Sequence, residues 1–203
     1  MTDQRSNKAD VLLQHTQRYQ SGRLTIFLGA APGVGKTFAM LVRAHELALQ
    51  GSNIVIGYVE THGRSETENL IAGLTVIPRK VIEYQGHSLE EMDLDAVLEK
   101  KPSIVLVDEF AHTNMPNSRH EKRWQDINEL LDAGIDVFTT MNIQHLESLN
   151  DVVYQITGIR VSETVPDRVF ERIRDIRLID LPVNELLERL NQGKIYVPEQ
   201  AQQ

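Results

Sequence analysis

The chain is 203 residues long, with 41% hydrophobic residues, no cysteine and a formal net charge of −8. That length suits one large domain, or one domain with a small appendage, and the apolar content is enough for a sizeable core. The composition excludes disulfides and thiol nucleophiles, fits a reducing cytoplasmic setting, and argues against nucleic acid as the main partner.

Residues 1–22 read as a polar N-terminal segment without a secretory pattern, and residues 23–203 as a single nucleotide-binding domain. No stretch approaches the roughly 18 apolar residues of a membrane span, so these residues are expected to be soluble. A strand is predicted at 24–28, followed at once by A-A-P-G-V-G-K-T. Phe38, Leu41, Val42 and Leu49 then share one helical face, which Gly51 ends. Further strands are predicted at 54–59, 104–107, 136–140 and 177–181, with a shorter run at 81–84 as an edge strand. Trp124, Ile127, Leu130 and Leu131 mark a helix closing at Gly134; Leu146, Leu149, Val153 and Ile156 mark another closing at Gly158. Leu186, Leu187 and Leu190 mark a last helix before Gly193. Each stripe reads as a core face. The alternation of β-rich runs with helical periods predicts an α/β fold, P-loop NTPase-like, with three α/β/α layers and a mainly parallel sheet.

Gly29, Ala30, Ala31, Pro32, Gly33, Val34, Gly35, Lys36 and Thr37 have the parts of a phosphate-binding loop. Glycines let successive N–H groups converge on phosphate oxygens, and the following helix adds free donors and the positive end of its dipole. Lys36 can reach the β- and γ-phosphates of ATP, and the Thr37 hydroxyl is placed to ligate Mg²⁺. The strict pattern G-x-x-x-x-G-K-[ST] wants glycine where this chain has Ala30. A positive φ would cost alanine about 1–2 kcal/mol, so an ordinary φ is expected there. Pro32 lacks an N–H, which leaves Gly33, Gly35, Lys36 and Thr37 as donors.

Such a site needs a carboxylate for the metal. Asp108 and Glu109 close the apolar run 104–107, at the strand end that faces the ligand crevice of a parallel sheet. Asp108 is expected to hold Mg²⁺; its alternative role is to cap the turn. Glu109 either polarises a water attacking the γ-phosphate or plays no chemical part. Thr61, Arg64, Asn142 and Gln144 follow two other strand ends and either sense the phosphates or serve ordinary turn and cap chemistry. Arg119 and Arg123 read first as a solvated helix start, second as phosphate contacts. The histidines show no metal-ligand spacing.

Several blocks run in one characteristic order: G-A-A-P-G-V-G-K-T-F-A-M-L, G-Y-V-E-T-H-G-R, L-V-D-E-F-A-H-T-N, R-W-Q-D, N-I-Q-H-L-E-S-L-N-D, E-T-V-P-D and Y-V-P-E-Q-A. Together they resemble the amino-terminal domain of the KdpD family, the bacterial potassium- and osmolarity-responsive sensor histidine kinases, over residues 9–201. The resemblance implies an ATP-binding regulatory input domain on the cytoplasmic side of an inner-membrane protein. It implies a longer chain that works as an oligomer, with universal-stress-like, transmembrane and kinase domains and a response regulator downstream. Ala30 agrees with that family's pattern. The phosphoacceptor histidine has no counterpart here, so His112 and His145 are not expected to fill that role. The competing reading is a self-contained P-loop ATPase or small-molecule kinase.

Overall fold

A computed structural model describes residues 21–191; residues 1–20 of the segment predicted at 1–22, the close of the last helix at Gly193 and the final Y-V-P-E-Q-A block lie outside the described residues. Six parallel strands form one sheet, in the order β3-β2-β6-β7-β1-β8. They are β1 (Leu24–Gly29), β2 (Ile54–Tyr58), β3 (Thr75–Val76), β6 (Ile104–Val107), β7 (Asp136–Asn142) and β8 (Ile173–Ile179). The four central strands are buried on both faces, which is why they read as continuous apolar runs rather than as alternating ones.

Alternate residues feed two cores. Leu24, Ile26, Val55, Val105, Val107 and Val137 face one way, against α3 (Leu94–Lys100) and α4 (Arg123–Asp132). Phe27, Ile54, Ile56, Ile104, Leu106 and Phe138 face the other, against α1 (Lys36–Leu49). The result is the expected three-layer α/β/α arrangement. The remaining helices are α2 (Ser65–Asn69), α5 (Asn150–Thr157) and α6 (Val183–Asn191).

Five expectations need correction, the first being that Leu187 of α6, expected on a core face, is 51% exposed. The run at 81–84 does form a strand, β4 (Lys80–Tyr84), but it pairs antiparallel with β5 (His87–Glu91) in a separate two-stranded sheet. Positive φ at Gln85 and Gly86 makes the two-residue turn between them. The last strand lies four residues earlier than its expected start, because charged Arg174, Asp175 and Arg177 interrupt an exposed edge. On α1 the core face is Met40, Leu41 and Ala44, while Phe38 is 43% and Leu49 90% exposed. Small Ala44 lets the helix approach the sheet closely, and a search for large apolar residues overlooks it. Finally, α5 starts at Asn150, after two short 3₁₀ turns, and buries none of its residues; Ile156 is 79% exposed.

Helix α4 meets the prediction in Ile127, Leu130 and Leu131, with Trp124 packed at the core's margin. It also buries Asp126, which accepts a hydrogen bond from Asn114 Nδ2 at 2.5 Å. Burial pushes the Asp126 carboxyl up to about 6, against the opposing pull of the Asn114 bond and His120. The folded state therefore holds this proton more tightly than the unfolded chain, and stability falls as pH climbs from 3.8 to about 6. Asp126→Asn, whose amide oxygen still accepts from Asn114, should raise stability at pH 7 by about 1–3 kcal/mol in urea unfolding. A variant that is less stable than wild type at pH 7 contradicts this.

Candidate functional site

Because the strands are parallel, the carboxyl ends of β2, β6, β7 and β1 meet along one edge of the sheet. The glycine-rich segment 29–37 leaves β1 there and runs into α1. Gly29 has no room for a side chain: a Cβ would lie 2.6 Å from Val34 Cγ2 and 3.2 Å from the Ile179 carbonyl oxygen. Gly35, at φ 100°, caps α1 in a left-handed conformation that favours glycine. Ala30 is absent from the residues with positive φ, as expected. The first intrahelical bond of α1 runs from Ala39 N to Gly35 O, so the N–H groups of residues 36–38 precede the helical ladder.

Asp108, buried past the end of β6, organises the crevice. Its Oδ2 accepts from the Thr37 hydroxyl at 3.0 Å and from Glu60 N–H at 3.4 Å; its Oδ1 accepts from the Thr140 hydroxyl and from Glu109 N–H at 3.2 Å. Glu109 follows at φ 60°, a conformation that costs a non-glycine residue about 1–2 kcal/mol. This kink brings the Glu109 side chain to the crevice wall, 3.9 Å from His62 Nε2 and 4.0 Å from His112 Nδ1. Burial pushes the Glu109 carboxyl up and the Asp108 carboxylate adds to this, while Arg123, His112 and His62 pull it back.

Lys36 donates to the Ala31 carbonyl at 3.0 Å. Burial lowers its ammonium to about 8; Asp108 opposes that shift and Arg64 adds to it. Arg64 is itself lowered by burial and by Arg189. Three cations thus gather around the segment 29–37.

A crevice of about 320 Å³ is lined by Pro32, Gly33, Gly35, Lys36, Thr37, Arg64, Asp108, Glu109, Thr140 and Asn142 among others. Asn142 sits beside Gly29 in register, and its side-chain oxygen is buried without a hydrogen-bond partner among the described residues. Gln144 falls in the following 3₁₀ turn, away from the crevice lining, whereas His145 reaches it. Thr61 bonds its hydroxyl to Glu68 Oε1 at 3.3 Å, a contact within its own loop and helix.

The two arginines of the charged run part company. Arg119 is exposed and paired with Asp95 and Glu129, away from the crevice. Arg123 is fully buried behind it: Nη2 lies 2.5 Å from Glu91 Oε1, Nη1 donates to the Asp108 carbonyl at 3.2 Å, and the guanidinium sits 3.8 Å from the Tyr58 ring centroid. Arg123 is therefore a strut and not the solvated residue expected of a charge run. Its partner Glu91 lies on β5, a strand too short and polar to stand out in the sequence. Glu163 was equally hidden: its carboxylate accepts Thr113 N–H, and its carbonyl lies 2.7 Å from His145 Nδ1. The E-T-V-P-D block so ties the loop after β6 to the turn after β7.

Among the described residues no group of three His, Asp or Glu side chains is arranged to hold a metal ion. Thr37 Oγ1 and Asp108 Oδ2, 3.0 Å apart, form a two-oxygen pair. Adjacent ligands of an octahedral Mg²⁺ at about 2.0–2.1 Å are about 3 Å apart, so the spacing of the pair fits that ion.

Comparison with known proteins gives a consistent result. The profile of the family described as KdpD, osmosensitive K+ channel His kinase sensor domain, matches residues 20–203. The sensor protein KdpD of Escherichia coli is 55% identical over 193 residues, covering 95% of this chain and 22% of that protein. The sensor protein KdpD of Clostridium acetobutylicum is 55% identical over 179 residues, covering 88% of this chain and 20% of that protein. A putative sensor protein KdpD of Synechocystis sp. is 48% identical over 185 residues, covering 91% of this chain and 50% of that protein. The chain spans about a fifth of the length of the first two relatives.

Proposed function

The chain belongs to the KdpD sensor-domain family, and on that premise we propose that it is an ATP-binding regulatory input domain with a P-loop. The observation that carries the reading is the meeting of Lys36, at the start of α1, with the Thr37–Asp108 oxygen pair at one sheet edge. In this reading the free N–H groups that open α1 and the Lys36 ammonium bind the phosphates. Thr37 and Asp108 hold Mg²⁺, which neutralises phosphate charge when bound. Thr140 and the backbone of Glu60 and Glu109 orient the Asp108 carboxylate.

A regulatory ligand works only by favouring one of two conformations. The loops that follow β2, β6 and β7 all touch this crevice through His62, Glu109 and His145, so an occupant with a γ-phosphate can bear on each of them. The longer protein would be a membrane sensor histidine kinase that signals through a response regulator to control potassium uptake. Among the described residues no helix is long and apolar enough to cross a membrane; the membrane-spanning and kinase parts would lie elsewhere in the longer chain.

Calorimetric titration tests this. The wild-type domain should bind ATP more tightly with Mg²⁺ than without it, and Asp108→Asn should remove the difference. A wild-type protein that fails to bind ATP at millimolar concentration overturns the reading. Glu109 favours one alternative, a self-contained ATPase or small-molecule kinase, because its raised carboxyl lies at the crevice wall. Steady turnover lost in Glu109→Gln with binding intact would select that alternative.

A further inference from the structure

The Phe38 side chain has no part in the phosphate chemistry, yet its position calls for an explanation. Helical spacing assigns it to the core, but the ring is 43% exposed. It lines a second cavity of about 670 Å³, which adjoins the phosphate-side crevice and shares Gly33, Gly35, Thr37, His62 and Arg64 with it. Ile179 and Leu181, at and beyond the end of β8, add apolar wall to this cavity. Arg189 of α6 lines it as well and donates to the Gly33 carbonyl at 3.2 Å. The volume is within the usual range for small-molecule sites, about 300–1,000 Å³, and the combination of an apolar wall with a few polar groups is typical of them.

We propose that this cavity is the nucleoside subsite of the same ligand. The base lies against the Phe38 ring, while the phosphates occupy the adjoining crevice at Lys36 and Thr37. Phe38 immediately follows Thr37, so a base seated there is one residue removed from the phosphate donors. Aromatic stacking accepts any base, because every base has a π-face. Phe38 therefore supplies affinity, and the cavity wall is left to supply selectivity.

The inference rests on the nucleotide reading above, and the test separates the two. Mg·ATP and Mg·tripolyphosphate are titrated into wild type, Phe38→Ala and Phe38→Trp. Phe38→Ala should weaken ATP about tenfold, the scale of one lost base-stacking contact, and leave tripolyphosphate within about twofold. Phe38→Trp should retain ATP affinity. Because the ring is half exposed and alanine favours helix, the variant should fold, which circular dichroism checks. Unchanged ATP affinity in Phe38→Ala, or equal losses for both ligands, overturns the subsite alone. Failure of wild type to bind either ligand overturns the nucleotide reading itself.

Discussion

Lys36→Ala should lower ATP affinity by at least about a hundredfold, the usual scale for losing one partner of a desolvated charge pair. The side chain is largely buried and its ammonium is already lowered to about 8. A bound triphosphate would favour the charged form and raise that value again. The sign of the pH dependence follows. Below pH 8 the free protein carries the charge and binding is insensitive to this group. Above it, binding must take up a proton, and affinity should fall by up to about tenfold per pH unit. Lys36→Arg keeps its charge through this range and should flatten the profile. Calorimetry in buffers of different ionisation heat measures the proton uptake directly. A flat wild-type profile between pH 7 and 10 would refute the assignment of Lys36 to the phosphates.

Arg123→Met should destabilise the fold by about 3–5 kcal/mol, since it leaves Glu91 as a buried carboxylate without its cation. Burial pushes Glu91 up, but the His112 hydrogen bond, Arg123 and the Met92 N–H outweigh this and hold it at about 2. In wild type this pair contributes stability above pH 4.5, lost as pH falls from 4.5 towards 2. The variant should show a smaller loss over that window, because its Glu91 no longer starts from so low a value. Glu91→Gln in the same chain should recover part of the stability at pH 7. Urea unfolding at pH 7 and pH 4 reads all three effects, and a single-variant loss under about 1 kcal/mol would remove Arg123 from the role of strut. The site should respond too, because Arg123 also supports the Asp108 carbonyl.

The parts of this fold legible in the sequence are those whose residues are buried from both sides. β1, β2, β6 and β7 stand out as apolar runs for that reason, and the acid pair at 108–109 is easily placed at a strand end. β3 has two exposed residues and β5 reads H-S-L-E-E, so neither carries a hydrophobic signal. The Gln85–Gly86 pair between β4 and β5 was the available clue to a hairpin. Helix α3 is too short to show a helical stripe, although Asp93, which accepts from Ala96 N–H, marks its start. In the site, local order along the chain revealed Lys36, Thr37 and Asp108. Glu91, Glu163 and Arg189 come from distant segments, and only the tertiary fold brings them to Arg123 behind the crevice, to the crevice wall and to the Gly33 carbonyl.

The strand order bears on how the molecule comes into being. β1 precedes every other strand of the sheet in the chain, yet both of its neighbours, β7 and β8, are the last two. Arg23, just before β1, bonds to Asp136 across 113 residues of chain. Closing so long a loop is slow, because its entropy is lost before any contact compensates. A nascent chain halted before residue 136 would already contain all of 29–37 while its supporting strand had no partner on either side. The segment 29–37 therefore gains a strand on each side of its support only once residues 136–179 have been made.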